Sequence, residues 1–441
     1  MPDGTTLLFN FYTLKLVALK PGEAAQARLI LENPEAFFSN KAQGLKDFLI
    51  EKGFLIDDSI LETEHLRHSH GQSCKQGRNL SLTILPTLSC NFRCTYCYER
   101  KNVDCISKEV EEAILKFTEA RLPRGGNLVV TWFGGEPLLR MDTVERLSLA
   151  FMKICTEKES PFSASIITNG YLLTKSAAEK LVALKIKNVQ VTLDGPPFEH
   201  DRRRPTIDGR PTFKRIFENI KASNKILPIH LRINVDHSNR GVVSELIETL
   251  VQEGLQKSVH PYLGHTYPYT EVCNDVAGFC LTDEDFSLLE LEIDFEMAQK
   301  GFSSFRIPQS KNTYCLADNQ NAFVITPSGG IVNCWNDAAN PEKEIGHLLK
   351  PDIGKLGQKV HKWSMRDPFE LECIDCILLP ICMGGCPYLY QLTGKLHCHD
   401  WKHHLDEKLA FYYYIKEMQK EGEISREFYE AVQEAKKLRE Q

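Results

Sequence analysis

The sequence predicts an α/β protein built on a partial, TIM-like (β/α)6 barrel, with a winged-helix-like domain before it and a cysteine-rich domain after it. Two observations predict the barrel and a third the flank. From about residue 81 short β-branched runs alternate with longer amphipathic stretches, a repetition that implies βαβ units and a parallel sheet. Polar and glycine-rich motifs fall directly after successive apolar runs, where such barrels carry their sites. Ten of the fifteen cysteines fall into two spaced sets, one near residue 90 and one between 315 and 398.

Taken in order, Leu7–Tyr12 and Leu14–Leu19 read as a hairpin, followed by helical patterns at 22–32 and 41–52 and the apolar run Gly53-Phe54-Leu55-Ile56. Residues 62–78, rich in His, Gln and Ser, read as a linker. Barrel strands are expected at Leu82–Leu85, Leu128–Phe133, Ala164–Ile167, Val189–Leu193 and Leu231–Val235, with a sixth near Val259–Leu263. Helices are expected near 107–121, 141–157, 174–184, 212–225 and 241–253. Ser107 ahead of Val110 and Ile114, and Thr174 ahead of Ala178 and Leu181, supply a cap followed by apolar residues at helical spacing. After about residue 305 the chain is rich in Gly, Pro and Cys with little periodicity, so metal is expected to stand in for a missing core. The tail from Ser425 reads as a charged helix. The domain expectation is therefore 1–75, 76–300, 301–405 and a helical tail at 406–441.

Composition narrows the function. Hydrophobic residues make up 42% and charged residues 25%, ordinary for a globular chain. A net charge of −6 offers no basic face for nucleic acid. Met1-Pro2-Asp3-Gly4 begins no signal peptide and no apolar run is long enough to span a bilayer, so a cytoplasmic protein without membrane partners is expected. An odd cysteine count in a large chain argues against a disulfide framework and for metal ligation. Most of the remaining cysteines (Cys74, Cys105, Cys155, Cys273, Cys280) are expected to be small buried hydrophobes.

Cys90, Cys94 and Cys97 follow the first barrel strand with C-x3-C-x2-C spacing. Three thiolates on a tight loop can bind three corners of a cubane and leave one iron open to a reacting ligand; a zinc knuckle is the alternative these residues alone allow. Gly134-Gly135-Glu136-Pro137 follows the second strand, Thr168-Asn169-Gly170 the third, and Thr192-Leu193-Asp194-Gly195 the fourth, with His200-Asp201-Arg202-Arg203-Arg204-Pro205 next.

The run CNFRCTYCY resembles the signature loop of the radical SAM superfamily, and the later motifs resemble that family's matches in order. The resemblance implies a [4Fe–4S] cluster on Cys90, Cys94 and Cys97, and S-adenosylmethionine (SAM) held by Tyr96, Gly134, Gly135, Glu136, Pro137, Thr168, Asn169, Thr192, Asp194 and Arg204. Reductive cleavage of SAM would yield a 5′-deoxyadenosyl radical. Glycines 134 and 135 would let the backbone approach the cofactor, and Glu136 would accept from the SAM ammonium.

The second set is Cys315 and Cys334, then Cys373, Cys376, Cys382, Cys386 and Cys398. Zinc suits such pairs equally well. Their order resembles the SPASM domain of radical SAM enzymes, which implies two auxiliary [4Fe–4S] clusters: Cys315, Cys334 and Cys386 on one, Cys373, Cys376, Cys382 and Cys398 on the other. Sulfatase-maturating relatives carry a further cysteine shortly before Cys315, where this chain has Gln309 and Ser310. The first auxiliary cluster is then left with an open iron or a fourth ligand from Cys273 or Cys280. Those relatives also place an acidic base directly after the cysteine equivalent to Cys334. Here Trp335 follows, and Asp337 is the nearest carboxylate and the candidate catalytic residue.

The resemblance implies maturation of a ribosomally made precursor peptide, with its leader taken by the N-terminal hairpin as an added strand, and formation of a thioether or carbon–carbon cross-link. A flavodoxin or ferredoxin would supply electrons. Formylglycine formation in a sulfatase is the alternative enzyme activity, and a non-enzymatic electron carrier the alternative class.

Overall fold

The computed structural model describes residues 1, 4–35, 40–75, 78–99, 104–303, 307–350, 356, 367–370, 372–421 and 426–440. The chain opens with an antiparallel pair, β1 (Thr6–Asn10) and β2 (Lys15–Leu19). Asn10 Oδ1 shapes the turn by accepting from the Tyr12 and Thr13 amides, both at 2.8 Å. Helices α1 (Pro21–Glu32) and α2 (Asn40–Glu51) complete a small core of Leu19, Ala27, Ile30 and Leu49.

The stretch expected as a linker is instead a helix, α3 (Glu62–Lys75). It is polar nearly all round, with Leu66 its single buried residue, so no apolar period announces it. What holds it is distant in sequence. Leu66 packs against Phe369, Leu379 and Met383, while Arg67 lies over the Phe369 ring and donates to the Phe369 carbonyl.

The barrel strands follow: β3 (Asn79–Ile84), β4 (Asn127–Trp132), β5 (Phe162–Thr168), β6 (Ile186–Thr192), β7 (Ile229–Val235) and β8 (Val259–His265), all parallel and in consecutive order. Between them run α4 (Lys108–Arg121), α5 (Met141–Glu157), α6 (Lys175–Ala183), α7 (Pro197–Arg203), α8 (Phe213–Ser223) and α9 (Val243–Gln252), with α10 (Asp283–Gln299) after β8. Ser107 and Thr174 cap α4 and α6 as their positions suggest, accepting from Val110 N and Ala177 N. Strand β7 shows the logic: Ile229, Leu231, Ile233 and Val235 are fully buried, and His230, Arg232 and Asn234 alternate with them on the other face. Burying each such aliphatic side chain is worth roughly 1.5–3 kcal/mol. The opposite face carries bonds of its own, such as Tyr262 Oη to Gln190 at 2.7 Å.

The cysteine-rich region adds to this sheet, which the sequence did not lead one to expect. Strand β9 (Ala322–Ile325) pairs parallel with β3, and β10 (Gly330–Val332) and β11 (Gly346–His347) extend the sheet antiparallel, making nine strands. Two helices, Leu405–Glu421 and Arg426–Glu440, dock on α10 through Phe295, Phe411 and Tyr429. Of the five scattered cysteines only Cys155 and Cys273 are buried. Cys105 is exposed, and Cys74 lies 3.6 Å from a His70 ring nitrogen rather than in apolar surroundings. No helix among the described residues is long and apolar enough to cross a membrane.

Candidate active site

The first cysteine set sits just past the end of β3. Phe92 is buried and bridges to Thr206, while the Arg93 and Thr95 amides donate to the Pro205 and Arg203 carbonyls. The loop is therefore bound along its length to the chain that follows α7. Burial pushes the Cys90 thiol up to about 12, with the charges of Glu136, Cys94 and Cys97 adding to the effect. A thiol crowded in this way by a carboxylate and two further sulfurs ionises only beside compensating positive charge. That donor set fits an iron–sulfur cluster, whose irons supply the charge.

Glycines 134 and 135 lie where backbone crowds the chain on one side. A Cβ at Gly134, whose φ is +111°, would meet Thr87 O at 2.5 Å, and one at Gly135 would meet Ser89 O at 2.3 Å. The space they leave is filled by the backbone leading into the cysteine loop, and Gly135 N and Glu136 N donate to Thr87 O and Ser89 O. Glu136 is fully buried and takes three donors from the chain itself: Leu138 N at 2.9 Å, Thr168 Oγ1 at 2.7 Å and Asn169 N at 2.8 Å. Burial nonetheless holds its carboxyl above the usual carboxylate range. Pro137 opens the short turn Pro137–Arg140 that this carboxylate caps. Asn169 Nδ2 donates to Asn91 Oδ1 at 2.8 Å and lies 3.9 Å from Cys90 Sγ. The motifs after β4 and β5 are thus stitched to each other and to the cysteine loop.

Tyr96 centres a second network. Its hydroxyl donates to Asp194 Oδ2 and accepts from Arg204 Nη1 and, at 3.0 Å, from Asn234 Nδ2. Arg203 lies over the Tyr96 ring at 4.9 Å, pairs with Asp194 at 3.5 Å and with Asp236 at 2.7 Å. His200 is buried and held neutral by that burial; its Nδ1 accepts from Asp194 N and its Nε2 faces Thr212 Oγ1. Asp201 accepts from the Thr212 and Phe213 amides at the start of α8. Thr192 is buried at the end of β6. Arg204 Nε is buried beside Cys94 with no protein partner among the described residues, a donor that a bound carboxylate would satisfy.

In the second set, Cys315, Cys334 and Cys386 stand close enough that each of the other two raises the Cys334 thiol, although burial is the larger cause. Cys382 neighbours Cys398 and receives the His399, Gly384 and Gly385 amides on its sulfur. A Cβ at Gly385 would lie 1.7 Å from His397 O, so only glycine permits the bridge that brings these loops together. Cys373 and Cys376 occupy one turn that runs into the helix Leu379–Cys382. Cys273 and Cys280 donate their thiols to the Thr270 and Val276 carbonyls.

The radical SAM superfamily matches residues 84–250. The GTP 3′,8-cyclase of Aliarcobacter butzleri (strain RM4018) is 31% identical over 330 residues, covering 66% of this chain and 94% of that protein. The cysteine-type anaerobic sulfatase-maturating enzyme of Clostridium novyi (strain NT) is 31% identical over 341 residues, covering 70% and 88%. The chain belongs to the radical SAM superfamily. Among solved structures, anSMEcpe with bound AdoMet shares the fold at 20% identity and a TM-score of 0.59, over 76% of this chain and 97% of that one. Streptococcus suis SuiB bound to precursor peptide SuiA does so at 16% identity and a TM-score of 0.53, over 89% and 96%. Membership brings SAM and one [4Fe–4S] cluster as cofactors.

Within this radical SAM enzyme, a cavity of about 340 Å³ opens beside the two cysteine sets, lined by Tyr98, Tyr269, Thr270, Asn336, Asp337, Lys343 and Tyr388 among others. Tyr98 feels the charge of both Cys97 and Cys334, so it stands between the first set and the second. Tyr388 donates to Tyr269 O at 3.1 Å, and Thr270 Oγ1 to Tyr98 O at 2.8 Å. Burial pushes the Asp337 carboxyl up to about 6, against the opposing pull of Lys343. Asn234, Asp236 and Asn239 were not singled out in the sequence. The signal was there: Asn234 closes the polar alternation of β7 and Asp236 carries it past the strand's end, as site residues on a barrel do.

Proposed function

We propose that this enzyme matures a ribosomally made precursor peptide, forming a thioether or carbon–carbon cross-link. The observation that carries the reading is the position of the cavity: tyrosine-walled, with one raised carboxyl, beside both the radical-generating loop and the later thiols. Cys90, Cys94 and Cys97 would hold the SAM-binding cluster; Cys315, Cys334 and Cys386 one auxiliary cluster; and Cys373, Cys376, Cys382 and Cys398 another. Together these groups supply a 5′-deoxyadenosyl radical that takes a hydrogen atom and an acceptor for the surplus electron.

The chain's own residues bind and position. Tyr98, Tyr269 and Tyr388 wall off water from a bound side chain. Asp337 would take the proton released as the new bond forms. Arg204 Nε and the Tyr96 network hold the cofactor's polar end. Strands β1 and β2 pair only with each other among the described residues, so either edge offers a leader peptide a place as a third strand. A flavodoxin or ferredoxin would deliver the electron that starts the reaction.

Two other activities are suggested by relatives' names. The cavity lining has Lys343 as its one cation and includes Glu271 and Asp337, a poor match for a nucleoside triphosphate. Formylglycine formation is favoured by the Clostridium novyi relative but disfavoured by Trp335 after Cys334. The test is anaerobic incubation of the reconstituted enzyme with SAM, a reductant and, in separate arms, Cys-containing peptides encoded beside the gene, a sulfatase-motif peptide and GTP. The reading expects a neighbouring peptide lighter by a pair of hydrogens. Deoxyadenosine with every such peptide unchanged, or turnover only in another arm, overturns it.

A further inference from the structure

A group of metal-ligating side chains lies outside both cysteine sets. His265 ends β8, Asp283 begins α10, and Asp400 begins the short turn that follows Cys398. Their ligand atoms all lie within 4.8 Å of one another. His265 Nδ1 is 3.7 Å from Asp283 Oδ1 and 4.0 Å from Asp400 Oδ2.

The imidazole is set for ligation. Its Nε2 lies 2.9 Å from the Leu281 carbonyl, which can only accept, so the proton sits on Nε2 and the Nδ1 lone pair faces the carboxylates. The ring stacks flat on Phe286, with centroids 4.5 Å apart and planes 5° from parallel. A carbonyl fixing the far nitrogen of a histidine is the usual arrangement behind a metal-bound imidazole. Burial keeps His265 below its ordinary pKa, so at neutral pH the ring is not a counter-ion for the two carboxylates.

The nearby cations are engaged elsewhere. Lys408 bonds to Glu290 and lies over Trp401. Arg232 donates to Asn234. Three lone pairs thus converge, and the two cations that act on them among the described residues, Lys408 and Arg232, bond to other groups. Ligands about 2.1 Å from a tetrahedral ion lie about 3.4 Å apart. The His265 separations are a few tenths of an ångström longer than that, and both carboxylates would have to turn inward to close on an ion; their side chains are partly exposed, Asp283 40% and Asp400 24%.

We propose that His265, Asp283 and Asp400 bind a divalent transition-metal cation, with solvent completing its shell, and that the ion ties the segment after Cys398 to the end of the barrel. Mn²⁺ is the probe, because an imidazole and two carboxylates accept it while thiolates favour softer ions. The full-length enzyme, anaerobically reconstituted with iron and sulfide, is titrated with Mn²⁺ by electron paramagnetic resonance, with Zn²⁺ as competitor. One ion per chain is expected in the wild type. His265→Phe, which keeps a ring on Phe286, and Asp283→Asn, at a half-buried position, are each expected to weaken binding by roughly ten-fold or more at unchanged iron content. Absence of Mn²⁺ and Zn²⁺ uptake by the wild type, or equal uptake by either iron-replete variant, overturns the proposal.

Discussion

The ends of the barrel strands and the cysteine-rich region differ in what holds them. At the strand ends the chain satisfies itself: Glu136 takes three internal donors, and Tyr96 is gripped by Asp194, Arg204 and Asn234. In the cysteine-rich region Cys376 and Cys398 are exposed, and the apolar core near Cys373 is four buried residues, Leu66, Phe369, Leu379 and Met383. The difference teaches that the strand ends have hydrogen bonds of their own to hold them, whereas the later thiols have little apolar core and depend on what they bind.

The largest effect should come from stripping iron with a chelator. Limited proteolysis is then expected to cut within residues 372–402 while the strands and helices between 79 and 303 resist; equal cutting in both would erase the distinction. Next, Cys90→Ala should abolish SAM cleavage yet leave the melting transition of the barrel within about 1 kcal/mol of wild type. Loss of folding in that variant would mean that the cluster, not the hydrogen bonds, holds the strand ends. Arg203→Met leaves the buried Asp194 and Asp236 carboxylates without their shared cation, which should cost about 3–5 kcal/mol by denaturant unfolding. The smallest change is Ser107→Ala, a lost helix cap costing about 1 kcal/mol.

The same contrast governs what could be read in the sequence. Strands β3 to β8 were legible because short β-branched runs alternate with longer amphipathic helices, and their bounds fall within a few residues of expectation. Strands β9 to β11 were not, because two to four residues carry no period. Helix α3 was missed because its stability lies in Phe369, about three hundred residues away, and not in its own pattern. The motif positions were visible, but not every role. Gly134 and Gly135 read as room for a cofactor, and the structure adds that a Cβ at either would strike the Thr87–Ser89 backbone. Asn234 and Asp236 were passed over, because only the fold brings them to Tyr96 and Arg203.

The proposed chemistry needs one radical-generating cluster and two auxiliary ones, on the three thiol sets named. Iron and sulfide counts on the anaerobically reconstituted enzyme test it most directly, for the wild type and for the variant with Cys90, Cys94 and Cys97 all replaced by Ala. Three cubanes predict about twelve irons per chain, falling by about four in the variant. About four irons in the wild type, with zinc making up the difference and no iron left in the variant, would contradict it.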